Sequence, residues 1–351
     1  MESGTFESAG LPVVSVILAV RDEAPAIEAC LAALAAQTYP AARIEVILVD
    51  GQSDDDTVKR AAGFAARAPL RFDVISNERR NAPAGFNRGI EVARGDVLIV
   101  LGARARVEPD FVEASVRALE RTRADAVGGV VTTVAGGPGR LAGAIALAQR
   151  SPFGVGDAGY RYADSARAVD TVNYGAYRRE VFERIGFFDE SMQWVEDDEF
   201  NYRLRAAGGR ILLDPSIKVT YAARPTLRGL WQQRYRWGLN KLRVAERHPA
   251  QMQVRHAVPA LFVAGLSGAI VIGLRGGRWC WPIGTLAGSY GIAALAATLR
   301  LGARHGWPRA TPLLPAAFLA MHLAYGSGTL VGLAGMVQRQ LASKTAQVTR
   351  R

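Results

Sequence analysis

The first half of the chain alternates short apolar runs with segments of helical periodicity. Four runs, rich in β-branched residues, have the pattern of buried parallel strands. They cover residues 13–20, 44–49, 72–75 and 96–101. Between the first two runs, Ile27, Leu31 and Leu34 recur at helical spacing. Strands that alternate with helices predict an α/β fold built on an open, mostly parallel sheet.

The last third of the chain has a different pattern. Three segments contain no Asp, Glu, Lys or Arg, and each has at least 19 residues. They are 256–274, 279–299 and 310–337. A stretch of about 20 apolar residues is long enough to span a bilayer. A soluble helical domain can contain one such run, but three in succession predict a region of about three transmembrane helices at 256–337. A basic tail follows at 338–351.

The segment 226–255 joins these two regions and interleaves apolar residues with arginines. A basic amphipathic helix of this kind is typical of a membrane surface. The sequence therefore predicts an amphipathic interface helix here. The residues that we expect to face lipid are Leu227, Leu230, Trp231, Leu239 and Leu242.

The composition limits the partners. The 351 residues carry a formal net charge of +11. Such a charge can favour the binding of nucleic acid, anionic lipid or a phosphate-bearing substrate. The basic residues are scattered arginines without a long basic tail, so we do not expect nucleic acid as a partner. The two cysteines, Cys30 and Cys280, are far apart. They predict neither a disulfide framework nor a zinc site.

Asp50 is a candidate binding residue because it directly follows a predicted buried strand. Ligands of open α/β sheets bind beyond the carboxyl ends of the strands. A dinucleotide fold would also need a glycine-rich turn after the first strand, and residues 21–26 contain no glycine. A phosphate-binding P-loop is absent as well. A mononucleotide held by carboxylates and loop backbone remains open.

Four consecutive acidic residues at 196–199 open a segment in which Phe200 and Leu204 share a helical face. Acidic residues at a helix start are favoured by capping and by the helix dipole. Four of them in a row also suit a carboxylate site. Gly208 and Gly209 predict the end of this helix.

Several motifs, in this order and spacing, resemble family 2 glycosyltransferases. The opening motifs are 14–23, 34–40 and 49–57, and the later ones are 87–90, 95–96, 174–179 and 186–190. The resemblance covers roughly 12–240. It implies a GT-A fold, a Rossmann-like and mostly parallel catalytic domain at 12–225, and a nucleotide-sugar donor. The positions that it assigns to the donor nucleotide are Val20, Asp22, Glu23, Asp50 and Asn87.

One departure from the family concerns its metal site. The family usually has an Asp-x-Asp after the fourth strand, which holds a divalent cation on the donor diphosphate. Gly102 and Arg104 stand at those two positions. Glycine has no side-chain ligand and arginine repels a cation, so this pair does not predict a metal site. Mg²⁺ or Mn²⁺ stays open as a cofactor, and Arg104 or Arg106 can instead meet the diphosphate or be an exposed loop residue.

The resemblance also implies an acceptor side. Glu196 and Asp197 match the Glu-Asp motif of the family, in which the Asp is the catalytic base. Gln233, Arg236 and Trp237 match the Gln-x-x-Arg-Trp motif of membrane-bound and polymer-forming members. In those relatives this motif lies beneath the acceptor sugar and near the diphosphate.

These inferences together predict a membrane-anchored, inverting hexosyltransferase-like enzyme. It would move a sugar from a nucleotide donor to a lipid-linked or membrane-proximal glycan acceptor, in exopolysaccharide or cell-envelope glycan synthesis. The narrower resemblance is to succinoglycan-type transferases, which suggests other envelope-glycan assembly proteins as partners. Because sugar nucleotides are cytosolic, we expect a multi-pass protein of the inner membrane with its catalytic domain facing the cytoplasm. The alternatives are a processive polysaccharide synthase, which usually has more spans, and a catalytically degenerate binding scaffold.

Overall fold

The computed structural model describes residues 10–156, 164–251, 254–274 and 281–349. Its contacts divide the chain into two compact units. The sheet unit consists of the described residues up to Thr132 and of those from 164 to 221. The helical unit consists of the described residues from 133 to 156 and of those from Ala222 onward. The predicted domain at 12–225 thus differs from the contact-based division, which groups the segment after Thr133 with the C-terminal helices. Cys280 and the start of the second predicted apolar segment lie outside the described residues.

The sheet unit is built on one mixed sheet. Its strands are β1 Val14–Val20, β2 Ile44–Asp50, β3 Arg71–Ser76, β4 Val97–Leu101, β5 Ala105–Val107, β6 Ala126–Val134, β7 Arg167–Ala168, β8 Ala176–Arg178 and β9 Ile211–Ala222. The strand order is β3-β2-β1-β4-β8-β6-β9-β5, and β7 pairs with β9. Strands β1 to β4 are parallel, and β8 runs antiparallel to β4. The predicted α/β fold with a mostly parallel, GT-A-like sheet is confirmed.

The helices follow the strands in the first part of the chain and dominate the last part. They are α1 Ile27–Ala35, α2 Thr57–Ala65, α3 Ala82–Val92, α4 Phe111–Thr122, α5 Arg140–Ala148, α6 Pro152–Val155, α7 Arg179–Ile185, α8 Glu196–Ala206, α9 Leu227–Arg247, α10 Val254–Leu274, α11 Trp281–Arg304 and α12 Leu314–Thr349. Helix α3 begins at Ala82. The Asn81 side chain accepts a hydrogen bond from the Ala84 backbone N–H and caps the helix.

The central strands are mostly apolar because both faces of the sheet are covered, and the buried Ser15 and Glu45 hydrogen-bond to each other. In β2, Val46 and Leu48 pack into one core, whereas Ile47 and Val49 pack into the other. A strand buried on both faces loses the alternation of polar and apolar residues. This explains why the sequence predicts β1, β2 and β4 accurately.

Within the helical unit, helices α9 and α12 cross with their backbones in close contact. A Cβ atom on Gly238 would lie 2.1 Å from the Tyr325 carbonyl oxygen, and one on Gly328 would lie 2.1 Å from the Tyr235 carbonyl oxygen. Glycine on both helices is what allows the backbones to approach this closely. Leu230 and Leu242 of α9 are buried in the protein. The expectation that these two leucines face lipid is therefore wrong.

Three helical segments of the helical unit are long and apolar enough to cross a membrane: His256–Leu274, Trp281–Arg304 and Thr311–Ala342. The three predicted apolar helices are confirmed, with longer second and third segments. These two run past Arg300 and Arg339, because a charged residue ends an apolar run without ending a helix. In each of the first two segments only 11% of the most apolar window is buried, against 44% in the third.

Candidate active site

The carboxyl ends of β1, β2 and β3 lie at one edge of the sheet, because these strands are parallel. In the register, Val20 pairs with Asp50 and Asp50 with Ser76. Asp22 and Glu23 directly follow β1. We call the loops after β1, β2, β3 and β4 the strand-end edge. The Val20 side chain is buried, and its backbone oxygen accepts a hydrogen bond from Gly51 at 2.8 Å.

Two aspartates connect the loops of this edge. The Asp50 carboxylate accepts hydrogen bonds from the Ser53 hydroxyl at 2.6 Å and from the Ser53 backbone N–H. Ser53 Oγ in turn accepts the Asp22 backbone N–H at 3.0 Å, and Asp22 Oδ1 accepts the Asp54 backbone N–H at 2.8 Å. The polar groups thus order the loops before any ligand is present. Such preorganisation lowers the entropic cost of ligand binding.

Three residues of the strand-end edge have left-handed backbone conformations. They are Asp22 with φ 52°, Gln52 with φ 56° and Arg80 with φ 56°. Gln52 and Arg80 contact each other through a hydrogen bond of 2.6 Å from Arg80 Nε to Gln52 Oε1. Non-glycine residues in this region cost about 1–3 kcal/mol each and tend to occur at functional sites. The sequence motifs include Gln52 only as part of 49–57 and do not single out Arg80.

Asn87 has a buried side chain that holds a distant loop. Its Nδ2 donates to the Phe188 carbonyl oxygen at 2.9 Å, and its Oδ1 accepts the Phe188 backbone N–H at 2.9 Å. Both ends of the amide are therefore engaged with the backbone after α7. Asn87 Nδ2 also lies 3.2 Å from Glu190 Oε1. These contacts give Asn87 a positioning role in this structure, and its contact with the nucleotide stays a prediction.

Arg104, at the second position of the replaced acidic pair, forms an ion pair with Glu23. The distance from Arg104 Nε to Glu23 Oε1 is 3.1 Å, and both side chains are largely buried, at 25% and 17% exposure. Glu23 Oε2 is buried and accepts no hydrogen bond from the described residues. Beside Gly102 there is space, since the nearest atom to a Cβ built there is Tyr174 Cε1 at 3.9 Å.

Arg106 follows Arg104 by two residues but lies on a strand. It belongs to β5 and pairs with Thr220 of β9. Its side chain is exposed between the buried Ala105 and Val107. The structure therefore distinguishes Arg104, which has a carboxylate partner at the strand-end edge, from Arg106, which is on an exposed strand face.

Helix α8 begins at Glu196, as the acidic run predicts. Burial raises the pKa of the Glu196 carboxyl to about 7, the charge of Asp198 adds to the rise, and backbone N–H groups of residues 194–196 oppose it. Glu196 Oε2 is buried without a hydrogen bond from the described residues. The preceding Trp194 has φ 74°, a strained conformation for a bulky residue. A buried carboxyl beside a strained loop is typical of a catalytic site.

Asp197 lies next to a buried polar network that sequence reasoning missed. Its Oδ1 accepts the Asp198 backbone N–H at 2.9 Å. Burial and the negative charge of Asp197 raise the pKa of Tyr177, whose hydroxyl donates to Asn201 Oδ1 at 3.1 Å. Asn201 is fully buried and also donates to Thr171 Oγ1 at 2.9 Å. The available signal was an asparagine between Phe200 and Leu204, one turn after Asp197.

The other acidic residues of the run differ in role. Glu199 is buried and pairs with Arg203 one turn later, at 2.8 Å. This ion pair stabilises the helix, in agreement with its assignment to the helix start. The helix ends before Gly208, which has φ 78°, as predicted. Glu196, Asp197 and Asp198 remain as the carboxylates that can serve chemistry.

The three motif residues of α9 lie in the helical unit. Gln233 is buried, Arg236 is exposed and Trp237 is partly buried. The Arg234 guanidinium lies over the Trp237 ring, 4.8 Å from its centroid. A buried arginine over an aromatic ring, on a helix that also carries the exposed Arg236 and the buried amide of Gln233, suits an anionic or sugar ligand.

Comparison with known proteins identifies the fold of the catalytic region. Residues 15–186 match the family described as glycosyl transferase family 2. The chain is a glycosyltransferase with a family 2 domain. Succinoglycan biosynthesis protein ExoA of Rhizobium meliloti (strain 1021) is 29% identical over 89% of this chain and 92% of that protein. A glucuronosyltransferase of Methanococcus voltae that acts on dolichyl N-acetyl-α-D-glucosaminyl phosphate is 26% identical over 65% and 72%.

Solved structures support the GT-A-like fold of this glycosyltransferase. Mannosyltransferase PcManGT from Pyrobaculum calidifontis, in complex with GDP-Man and Mn²⁺, superposes with a TM-score of 0.60 at 20% identity. The match covers 93% of this chain and 88% of that one. GalNAc-T7 with UDP, GalNAc and Mn²⁺ gives a TM-score of 0.50 at 20% identity over 68% and 48%.

The residues of this glycosyltransferase do not fit a divalent cation at the position of the acidic pair. Gly102 offers no side-chain ligand, and Arg104 brings a positive charge that Glu23 already neutralises. Among the described residues, no group of three or more His, Cys, Asp or Glu side chains has the arrangement of a metal site. Mg²⁺ and Mn²⁺ prefer carboxylate and other oxygen ligands, which this pair lacks.

Proposed function

We propose that this glycosyltransferase is a membrane-anchored, inverting enzyme of exopolysaccharide or cell-envelope glycan synthesis. It moves a sugar from a nucleotide-sugar donor to a lipid-linked or membrane-proximal glycan acceptor. The observation that carries the proposal is the pair of adjacent carboxyls at the start of α8, one of which has a raised pKa.

The strand-end edge serves the donor nucleotide in this proposal. Asp22, Glu23 and Asp50 accept hydrogen bonds from the ribose and the base. The backbone at Val20 and Gly51 lies beneath the nucleotide. Asn87 acts indirectly, by fixing the loop at Phe188. The nucleotide complexes of structures with the same fold support this assignment, since their names report GDP-Man and UDP.

The chemistry is a single displacement at the anomeric carbon. Asp197 accepts the proton of the acceptor hydroxyl while that oxygen forms a bond to the anomeric carbon. The bond from this carbon to the diphosphate oxygen breaks, and the nucleoside diphosphate leaves with the electron pair. One displacement inverts the configuration. Glu196, with a pKa of about 7, is uncharged in part at neutral pH, which leaves the negative charge on its neighbour.

The membrane supplies the acceptor in this proposal. The three long apolar helices support a multi-pass protein of the inner membrane, and the cytosolic location of sugar nucleotides supports a catalytic domain on the cytoplasmic side. The names of two relatives support the acceptor class, one through succinoglycan synthesis and one through a dolichyl phosphate-linked sugar. Gln233, Arg236 and Trp237 are proposed to contact the acceptor or the diphosphate.

A donor screen tests the proposed function. Membranes that contain the full chain receive radiolabelled sugar nucleotides, and transfer to extractable lipid is measured. We expect one donor to label lipid with wild type, and Asp197→Asn to lower the rate by about 10²–10⁴-fold. Asp198→Asn removes the same charge one position later and tests the competing carboxylate, and we expect it to keep most of the rate. Equal rates for wild type and Asp197→Asn would contradict the assignment of the base.

The stereochemistry of the product tests the inverting mechanism separately. Proton NMR of the labelled glycolipid reports the anomeric configuration through the coupling of the anomeric proton. We expect the configuration opposite to that of the donor. Retention would contradict a single displacement by an acceptor that Asp197 deprotonates.

A further inference from the structure

The ion pair between Arg104 and Glu23 connects the loops after two neighbouring strands. Glu23 follows β1, Arg104 follows β4, and these strands are adjacent and parallel. The pair therefore belongs to the strand-end edge, where parallel α/β sheets bind their ligands. Because both side chains are largely buried, the guanidinium is held in place more firmly than a surface arginine would be.

The guanidinium uses only one of its N–H groups in this pair. Arg104 donates from Nε to Glu23, and no other hydrogen bond or ion pair of its side chain occurs within the described part of the chain. Its two Nη groups have the spacing that binds two oxygens of a phosphate at once. A fixed cation with this donor geometry can stabilise a leaving diphosphate.

We infer that Arg104, oriented by Glu23, is the permanent positive charge of the donor diphosphate site, and that donor binding needs no divalent cation. The inference rests on the proposed function, since it assumes a nucleotide-sugar at the strand-end edge. Arg106 is not assigned to the diphosphate, because it lies on an exposed strand face without an acidic partner among the described residues. Glu23 is a positioning residue, and its carboxylate also limits the mobility of the arginine.

Gly102 allows a reciprocal experiment. A Cβ built on this residue has no atom closer than 3.9 Å, so a side chain can begin there without a clash at its Cβ. The double variant Gly102→Asp/Arg104→Asp restores an acidic pair at the two positions. If Arg104 replaces the cation, this variant loses metal-free binding and gains binding that depends on a metal.

Calorimetry of the purified full chain in detergent tests the inference. UDP, GDP, ADP and dTDP, together with the corresponding nucleosides, are titrated in EDTA and again in Mn²⁺. We expect one diphosphate to bind wild type equally well in both buffers. Arg104→Gln is expected to weaken that diphosphate about 10–100-fold and to leave the nucleoside unchanged. The double variant is expected to bind the diphosphate only in Mn²⁺.

Two comparisons separate the effect on the site from an effect on folding. Arg117→Gln removes an arginine from an ion pair with Glu113 on α4 and is the matched control, with unchanged diphosphate binding. Its neighbours Val116 and Glu120 lie beside Asp96, at the amino end of β4 and away from the strand-end edge. Glu23→Gln should weaken the diphosphate more than the nucleoside if Glu23 acts by positioning Arg104.

The outcomes distinguish the inference from the function on which it rests. Diphosphate binding that EDTA abolishes in wild type would overturn the inference alone, as would undiminished diphosphate binding by a folded Arg104→Gln variant. If no nucleoside diphosphate binds in either buffer, the proposed function is wrong, and the inference fails with it.

Discussion

The sheet unit and the helical unit use apolar residues in opposite ways. In the sheet unit, the apolar side chains of β1, β2 and β4 are buried almost completely. In the helical unit, several of the largest ones are exposed, among them Leu261 at 69%, Leu274 at 81% and Ile292 at 73%. A soluble protein rarely exposes large contiguous apolar surface. The difference teaches that burial inside the protein organises the first unit, whereas close backbone contacts at glycines organise the α9–α12 crossing of the second.

The largest expected contrast concerns the loss of an apolar side chain in each unit. Phe200 is fully buried, with its ring centroid 4.5 Å from that of Phe188 and 4.9 Å from that of Phe182. Phe200→Ala should lower the free energy of unfolding by about 3–5 kcal/mol. Leu261→Ala, at an exposed position of α10, should change it by about 0.5 kcal/mol or less. Chemical denaturation of the full chain in detergent measures both, and similar losses would break the comparison.

A pair of glycines provides the next contrast, within the helical unit. In Gly238→Ala the new Cβ would lie 2.1 Å from the Tyr325 carbonyl oxygen, so we expect a loss of about 1–3 kcal/mol in the free energy of unfolding. Gly268 of α10 has no atom within 4 Å of such a Cβ. Gly268→Ala should therefore be neutral or stabilising by about 0.5–1 kcal/mol, because alanine favours the helix. Equal effects would mean that α9 and α12 do not cross at Gly238.

The smallest expected effect is a pH dependence of stability in the sheet unit. Burial raises the pKa of Glu196 from 4.5 to about 7. The neutral form is favoured in the folded protein, so this stabilisation is complete below pH 4.5 and is lost as the pH rises through 7. Glu196→Gln should remove this loss of stability at high pH, because glutamine stays uncharged. We expect it to raise Tm at pH 8 by about 2–4 °C relative to wild type. Glu180→Gln, at an exposed position of α7, is the matched control. A Glu196→Gln variant that keeps the pH dependence of wild type would contradict the assignment.

Much of the fold follows from the sequence where one physical cause dominates. Strands β1, β2 and β4 are buried on both faces, so most of their residues are apolar. The three long apolar helices are equally clear, because their length exceeds that of any strand. Strands β5 and β8 have three residues each and no pattern to detect. Their positions depend on pairing with distant strands, which a local pattern does not contain.

The candidate site is only partly predictable for a similar reason. Asp50 is visible because it ends an apolar strand, and the acidic run at 196–199 is visible because it begins a helix. The ion pair of Glu23 with Arg104 joins residues 81 positions apart, and the contacts of Asn87 with Phe188 join residues 101 apart. A sequence indicates which groups are present, but not which of them meet. Asn87 shows the consequence, because its contacts with the Phe188 backbone have no signal in the sequence.

The most direct test of the central claim is to measure binding and transfer on one preparation of Asp197→Asn. The full chain, reconstituted in lipid, is titrated with the nucleoside diphosphate of its donor and then assayed for sugar transfer. We predict that the dissociation constant of the nucleoside diphosphate stays within roughly twofold of wild type and that the transfer rate falls by about 10²–10⁴-fold. The reason is that Asp197 acts on the acceptor proton and not on the donor. Transfer at the wild-type rate, or a loss that is explained entirely by weaker nucleotide binding, would contradict it.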